Sequence, residues 1–262
     1  MNERDANRWL AASPGVPLAE SEVAIWRIDL RGSPAEVAAA EALVTSEERV
    51  RADRYLRAKD RVSFLLQRAA LRIQLAAYLG IADPRAVEFT HGERGKPRVV
   101  TSGAMAEFGL EFNASGSGDV GLMAFSRGAA VGVDVEKYRG IEELEIARNF
   151  FSAEEIAELA ALPPEQRREG FFNAWARKEA FIKATGEGLY FSLDRFAVSL
   201  TPGAPAVLRR VDGEMGPADA WTLAALPIDA GYAAAVVRRG GAFSVRLFDA
   251  PAVQAWRASA AR

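Results

Sequence analysis

The order strand, helices, strands occurs twice along the chain, and this double succession restricts the fold more than any other feature of the sequence. Residues 22–30, EVAIWRIDL, alternate as a half-buried strand does. From Ser33 to Gly80 apolar residues recur at helical spacing with few breakers, which predicts two or three helices. Short strands follow at AVEFT, LEFNAS and DVGLMAFS, set apart by Gly, Pro and Ser turns. At AAVGVDVEKY a second round begins: a strand, helices from about Ile141 to Thr185, then strands at FAVSL, WTLAAL, GYAAAVVRR and FSVRLF. The pattern predicts an α+β fold of two similar halves in a pseudo-twofold arrangement, residues 1–127 and 128–262. They meet near SRGAA (126–130), and the cleft between them is the natural ligand site.

The residue inventory removes several chemistries. No cysteine is present, so disulfides, thiolate metal sites and cysteine nucleophiles are excluded, and a reducing cytosol is compatible. The single histidine, His91, lies in the turn-rich stretch THGERGKP with no nucleophile pattern beside it and reads as solvated. The start, MNERDANRWLAASPG, is charged where a signal peptide is apolar, and no segment has the length to span a bilayer. A cytoplasmic protein without membrane contact is expected. With 33 basic against 35 acidic side chains, the composition gives no general attraction to nucleic acid.

Two stretches carry the chemistry. In GVDVEKYRG (132–140), residues two apart share a face, so Val133 and Val135 point to a core while Asp134 and Glu136 point together the other way. Like charges at that spacing repel, and a cation between them resolves the conflict. In FFNAWARKEAFIKATGEGL (171–189), Trp175, Glu179 and Lys183 form one helical stripe, Phe172, Ala176 and Ala180 form a neighbouring packing stripe, and Gly186 and Gly188 end the helix. Taken alone, Glu179 and Lys183 read as an ordinary exposed ion pair. Asp134, Glu136 and Glu179 together make an oxygen-only donor set that suits Mg²⁺ or Mn²⁺ and suggests phosphate chemistry. On the phosphate side stand GERGKPRV, with Arg94, Lys96 and Arg98 at a tight turn, and NASGSGD (113–119), a small-residue loop whose N–H groups suit an anion. RVRADRYLRAKDR reads first as a solvated helical face, interrupted by Asp53 and Asp60, with basic residues left over for a phosphate.

Over most of its length, and in the expected order, the chain resembles the Sfp-type 4′-phosphopantetheinyl transferases. GVDVEKYR is similar to that family's Gly-hydrophobic-Asp-hydrophobic-Glu motif, and WARKEAFIKATGEGL fills every named position of its Trp-x-x-Lys-Glu-Ala-x-x-Lys-x-x-Gly-x-Gly-Leu motif. RGKP and FNAS resemble its weaker earlier signatures, and the chain is too long for the small trimeric carrier-protein synthases with related motifs. The resemblance implies transfer of phosphopantetheine from coenzyme A to a serine of an acyl or peptidyl carrier protein, in fatty acid, polyketide or nonribosomal peptide synthesis. Adenosine 3′,5′-bisphosphate is released. It implies that Asp134, Glu136 and Glu179 hold Mg²⁺ against the pyrophosphate, with Mn²⁺ as a substitute. Glu179, directly or through a metal-bound water, takes the serine proton, and Lys183 stabilises or protonates the leaving group. Lys96, Arg51, Arg61, Ser115 and Lys178 are implied to contact coenzyme A, and a monomer is expected because one chain supplies both halves.

The sequence departs from the family at two places. After FN-x-S the family places a histidine on the coenzyme A phosphates, and Gly116 stands there, so a charge-assisted hydrogen bond worth about 1.5–3 kcal/mol is lost. Glycine does let a backbone N–H approach a phosphate closely at Gly116. Glu48 stands near where the family often carries a basic residue. Two alternatives follow: an impaired homologue that binds coenzyme A or a carrier protein without efficient transfer, and a metal-dependent nuclease. The balanced charge argues against the nuclease, which needs a broader basic surface.

Overall fold

The computed structural model describes residues 8–101, 103–213 and 215–253; residues 1–7 and 254–262 of the two expected halves lie outside them. Strands are numbered in chain order. A five-stranded sheet runs β1 (Leu10–Ala11), β12 (Ser244–Asp249), β2 (Glu22–Asp29), β6 (Val120–Arg127), β5 (Leu110–Ser117), and a three-stranded sheet runs β10 (Trp221–Ala225), β11 (Tyr232–Arg239), β7 (Val131–Lys137). Two hairpins complete the strands: β3 (Phe89–His91) with β4 (Pro97–Val99), and β8 (Phe196–Val198) with β9 (Leu208–Val211). The helices are α1 (Pro34–Glu41), α2 (Ser46–Ala52), α3 (Ala58–Leu79), α4 (Ala104–Phe108), α5 (Glu143–Phe150), α6 (Ala153–Ala161) and α7 (Pro164–Thr185). Among the described residues no helix is long and apolar enough to cross a membrane.

The α+β expectation holds, with the layers α3, first sheet, second sheet, α7. Alternation along β2 explains the order: Ala24, Trp26 and Ile28 pack with Leu65, Ala69 and Ile73 of α3, while Val23 and Ile25 face the other way. That second face meets Val131, Val133 and Val135 of β7 and Val236 of β11, forming an apolar seam between the sheets. On the far side, Ala233, Ala235 and Val237 pack with Phe172, Ala176 and Ala180 of α7, the packing stripe expected from helical spacing. Each sheet therefore carries one 22-residue helix on its outer face.

The sequence does not announce where β12 goes. FSVRLF reads as a strand of the second half, yet β12 runs parallel to β2 in the first sheet, with Leu247 opposite Ile25 and Phe248 stacked on Trp26 at 4.8 Å. A strand's period sets which side chains share a face and leaves the partner strand open. The expected small-residue loop at 113–119 also differs: β5 continues through Ser117, paired residue for residue with β6, and the turn comes at Gly118, with φ +63°.

Candidate active site

Three elements converge on one cluster: β5 on the edge of the first sheet, β7 on the edge of the second, and the last turns of α7. The expected facing of β7 is found, since Val133 and Val135 are buried in the seam and Asp134, only 2% exposed, turns toward α7. β5 and β7 are joined by side chains in place of a main-chain ladder. Asn113 Oδ1 accepts from the Val133 N–H at 2.9 Å, and Ser115 Oγ donates to Asp134 Oδ1 at 2.7 Å. Ser117 Oγ donates to Glu136 Oε2 at 3.0 Å and accepts from the Lys137 N–H at 3.1 Å. Asn113, Ser115 and Ser117 are two apart, so one face of β5 supplies all four bonds. Sequence reasoning singled out Ser115 alone; the polar period of two in FNASGS was the available signal for its neighbours.

From α7, Lys183 Nζ donates to Asp134 Oδ1 at 2.5 Å and to Ser115 Oγ at 2.9 Å. Glu179, one turn earlier, lies within the electrostatic reach of Lys183, Asp134 and Glu136. Trp175, at the start of the stripe, packs its indole against Phe150, Phe151 and Phe171. All three carboxyls sit above their ordinary range: Asp134 through burial, with Lys183 opposing; Glu136 through burial and then the charge of Asp134; Glu179 through burial, with the charges of Asp134 and Glu136 adding to it and Lys183 opposing. The Oδ2 atom of Asp134 is buried with no hydrogen-bond partner among the described residues.

Around this cluster the other expected residues divide. Arg51 lines a cleft of about 530 Å³ with Arg68, Arg72, Arg85 and His91, its guanidinium 5.3 Å from the Phe64 ring centre. Gly116 follows Ser115 on the opposite face of β5, where the Gln67 amide donates to the Ser115 carbonyl at 2.6 Å. Lys96 stands apart from the carboxylates, with Nζ donating to the carbonyls of Val131 and Ala184. Arg61 is taken up by two acids of its own half, Asp53 at 2.9 Å and Glu41 at 2.7 Å. The structure does not bring Lys178 to the site: it is 0% exposed and pairs with the equally buried Glu155 at 2.7 Å. Its Nζ also donates to the carbonyls of Leu193 at 2.8 Å and Phe196 at 2.7 Å. One residue along a helix turns a side chain by about 100°, which carries Lys178 off the Glu179 stripe and into the core of the second half.

Glu48 has a local occupation that accounts for its acidity. It closes the capping box of α2, accepting from the Thr45 N–H at 2.9 Å, and pairs with Arg72 at 2.7 Å and Arg68 at 3.5 Å.

Residues 130–237 match the family described as the 4′-phosphopantetheinyl transferase superfamily, and residues 30–127 match 4′-phosphopantetheinyl transferase, N-terminal. The chain is 36% identical over 233 residues to the 4′-phosphopantetheinyl transferase HetI of Nostoc sp. (strain PCC 7120), covering 88% of this chain and 94% of HetI. It is 32% identical over 157 residues to the 4′-phosphopantetheinyl transferase Sfp of Bacillus subtilis (strain 168), covering 60% of this chain and 66% of Sfp. Among solved structures, Thermotoga maritima holo-[acyl-carrier-protein] synthase aligns with a TM-score of 0.36 at 25% identity, over 43% of this chain and 64% of that one.

Proposed function

Since the chain belongs to the 4′-phosphopantetheinyl transferase superfamily and is an enzyme of that class, we propose that it moves the phosphopantetheine arm of coenzyme A onto a carrier-protein serine. The acceptor is an acyl or peptidyl carrier protein and the by-product is adenosine 3′,5′-bisphosphate. The observation that carries the reading is the Lys183 ammonium held between Asp134 and Ser115, with Glu136 and Glu179 beside it.

In the reaction the serine oxygen forms a bond to the phosphorus that bears the pantetheine arm, and the P–O bond to the adenosine bisphosphate breaks. Glu179 takes the serine proton; its carboxyl, raised by burial, is a stronger base than a solvated glutamate. Lys183 faces the negative charge that builds on the departing phosphate and is placed to protonate it. Ser115 and Asp134 hold the ammonium in place, and Ser117 and Arg139 do the same for Glu136, the latter at 3.4 Å. Arg51 offers its charge to the phosphates of coenzyme A from its cleft.

The residues fit a hard divalent cation. Asp134, Glu136 and Glu179 offer only oxygen, their charges strain one another, and the Asp134 Oδ2 atom lacks a hydrogen-bond partner among the described residues. Among the described residues no three acidic or imidazole side chains already converge on one point for a metal, and Lys183 occupies the other oxygen of Asp134. Mg²⁺ held there, or Mn²⁺ in its place, would neutralise charge on the pyrophosphate. The two halves complete the cluster within one chain, so a monomer suffices.

Mass spectrometry of an apo carrier protein incubated with the enzyme, coenzyme A and Mg²⁺ tests the reading. A gain of one phosphopantetheine arm, absent with Glu179→Ala, is expected. No gain across several carrier proteins would favour the second reading that Gly116 raises, a homologue that binds without efficient transfer.

A further inference from the structure

We infer that Lys96 is a positioning residue that holds β7 and α7 in register with each other; the inference rests on the transferase reading of the Asp134–Lys183 cluster. Lys96 projects from the hairpin of the first half, in the turn closed by Gly92 N–H to Lys96 O at 2.9 Å. Its Nζ donates to Val131 O at 3.0 Å, at the start of β7, and to Ala184 O at 3.2 Å, in the last turn of α7. Val131 precedes Asp134 by three residues and Ala184 directly follows Lys183, so one ammonium spans the two elements that carry all four reacting or metal-side groups.

The chemistry of both acceptors favours this arrangement. The last carbonyls of a helix have no partner within it, and Ala184 O is one of them, so a cation there satisfies an orphan acceptor and opposes the negative end of the helix dipole. The stem of Lys96 has room because α7 ends at Gly186, with φ +79°, where a Cβ would stand 3.3 Å from Lys96 Cδ. One residue beyond Val131, Gly132 lets the backbones touch: a Cβ there would fall 2.1 Å from Ala180 O and 2.3 Å from Ala184 N. Steric contact at Gly132 fixes the approach of strand and helix, and the two hydrogen bonds at Lys96 fix their slide. Burial brings the Lys96 ammonium down to about 8, with Glu111 opposing the shift and Arg98 adding to it. Two of the three donors of Lys96 are taken by buried carbonyls, which hold backbone, while the residue also lines a cleft of about 620 Å³ with Arg94, Arg98 and Arg239.

Steady-state kinetics of Lys96→Met with saturating carrier protein separates the two roles. The inference expects kcat to fall about 10- to 100-fold, because misplaced reacting groups carry that cost, with KM for coenzyme A within about twofold of the parent. Mn²⁺ affinity, followed by the free-ion electron paramagnetic resonance signal without substrate, should weaken by about tenfold as the carboxylates on strand and helix lose their spacing. A raised KM with kcat unchanged overturns the inference and makes Lys96 a coenzyme A contact. Unchanged kcat and unchanged Mn²⁺ affinity overturn it as well. Should Lys96→Met not fold, Lys96→Gln, which keeps an uncharged amide NH₂, is read by the same split. If the parent enzyme transfers nothing to any carrier protein, the functional reading falls, and the Mn²⁺ comparison by itself decides the role of Lys96.

Discussion

Replacing Lys178 by methionine tests the most consequential reassignment the structure makes. Both members of the Lys178–Glu155 pair are 0% exposed, and Glu155 is held further by the Ser152 N–H at 2.9 Å, the Ser152 hydroxyl at 2.8 Å and the Val198 N–H at 2.9 Å. Methionine fills much of the same volume but leaves a carboxylate without its counter-ion and the Leu193 and Phe196 carbonyls without their donor. Breaking a buried pair from one side costs about 3–5 kcal/mol, and the two carbonyls push in the same direction. For a chain of this size about 2–4 °C accompanies each kcal/mol, so the unfolding midpoint should drop by roughly 10 °C. Adding Glu155→Gln to that variant removes the stranded charge and should return about 1–3 kcal/mol, the coupling expected of residues in contact. Calorimetry of the parent, both single variants and the double variant completes the cycle. A loss below about 1 kcal/mol, the scale of an exposed pair, would refute the reasoning. So would an unchanged midpoint with a raised KM for coenzyme A, which would return Lys178 to the ligand.

Three other perturbations have defined outcomes. Asp134, Glu136 and Glu179 all bind protons more tightly folded than unfolded, so their contribution to stability is full below the ordinary values of 3.8 and 4.5 and is lost as pH rises through the raised ones. The metal-free midpoint should therefore fall as pH rises out of that acidic range, and Mg²⁺ at about 100 times its dissociation constant should restore about 2.7 kcal/mol near neutrality; no response to Mg²⁺ would remove the cation from the site. Gly132→Ala places a methyl 2.1 Å from Ala180 O, a backbone atom that cannot swing aside, so about 1–3 kcal/mol of stability should be lost by thermal melts, with transfer falling in parallel. Gly116→His should lower KM for coenzyme A by about 10- to 150-fold, the worth of one charge-assisted hydrogen bond of about 1.5–3 kcal/mol, provided Leu30 and Gln67 yield. They lie 3.1 Å and 3.3 Å from a Cβ at that position, and both are ends of side chains. An unchanged KM would show that the glycine is no impairment.

How much of this was legible beforehand depends on the range of the interactions involved. The strand through Asp134 and Glu136, the stripe of Trp175, Glu179 and Lys183, and the stop at Gly186 follow from periods of two and 3.6 residues and from glycine's access to positive φ, all local properties of the chain. For that reason the sequence by itself determined the acidic and basic side chains of the cluster, the α+β class and the two rounds of elements. Partner choice lies outside any local period. That β12 returns to β2, that Asn113, Ser115 and Ser117 bridge to β7, that Lys178 meets Glu155 and that Lys96 reaches two carbonyls of the other half were decided only when elements distant in sequence packed together. A lysine's charge is written in the sequence, but its partners are set by the buried acceptors that the fold brings within reach, because an ammonium taken out of water must be paired and hydrogen-bonded to offset its desolvation.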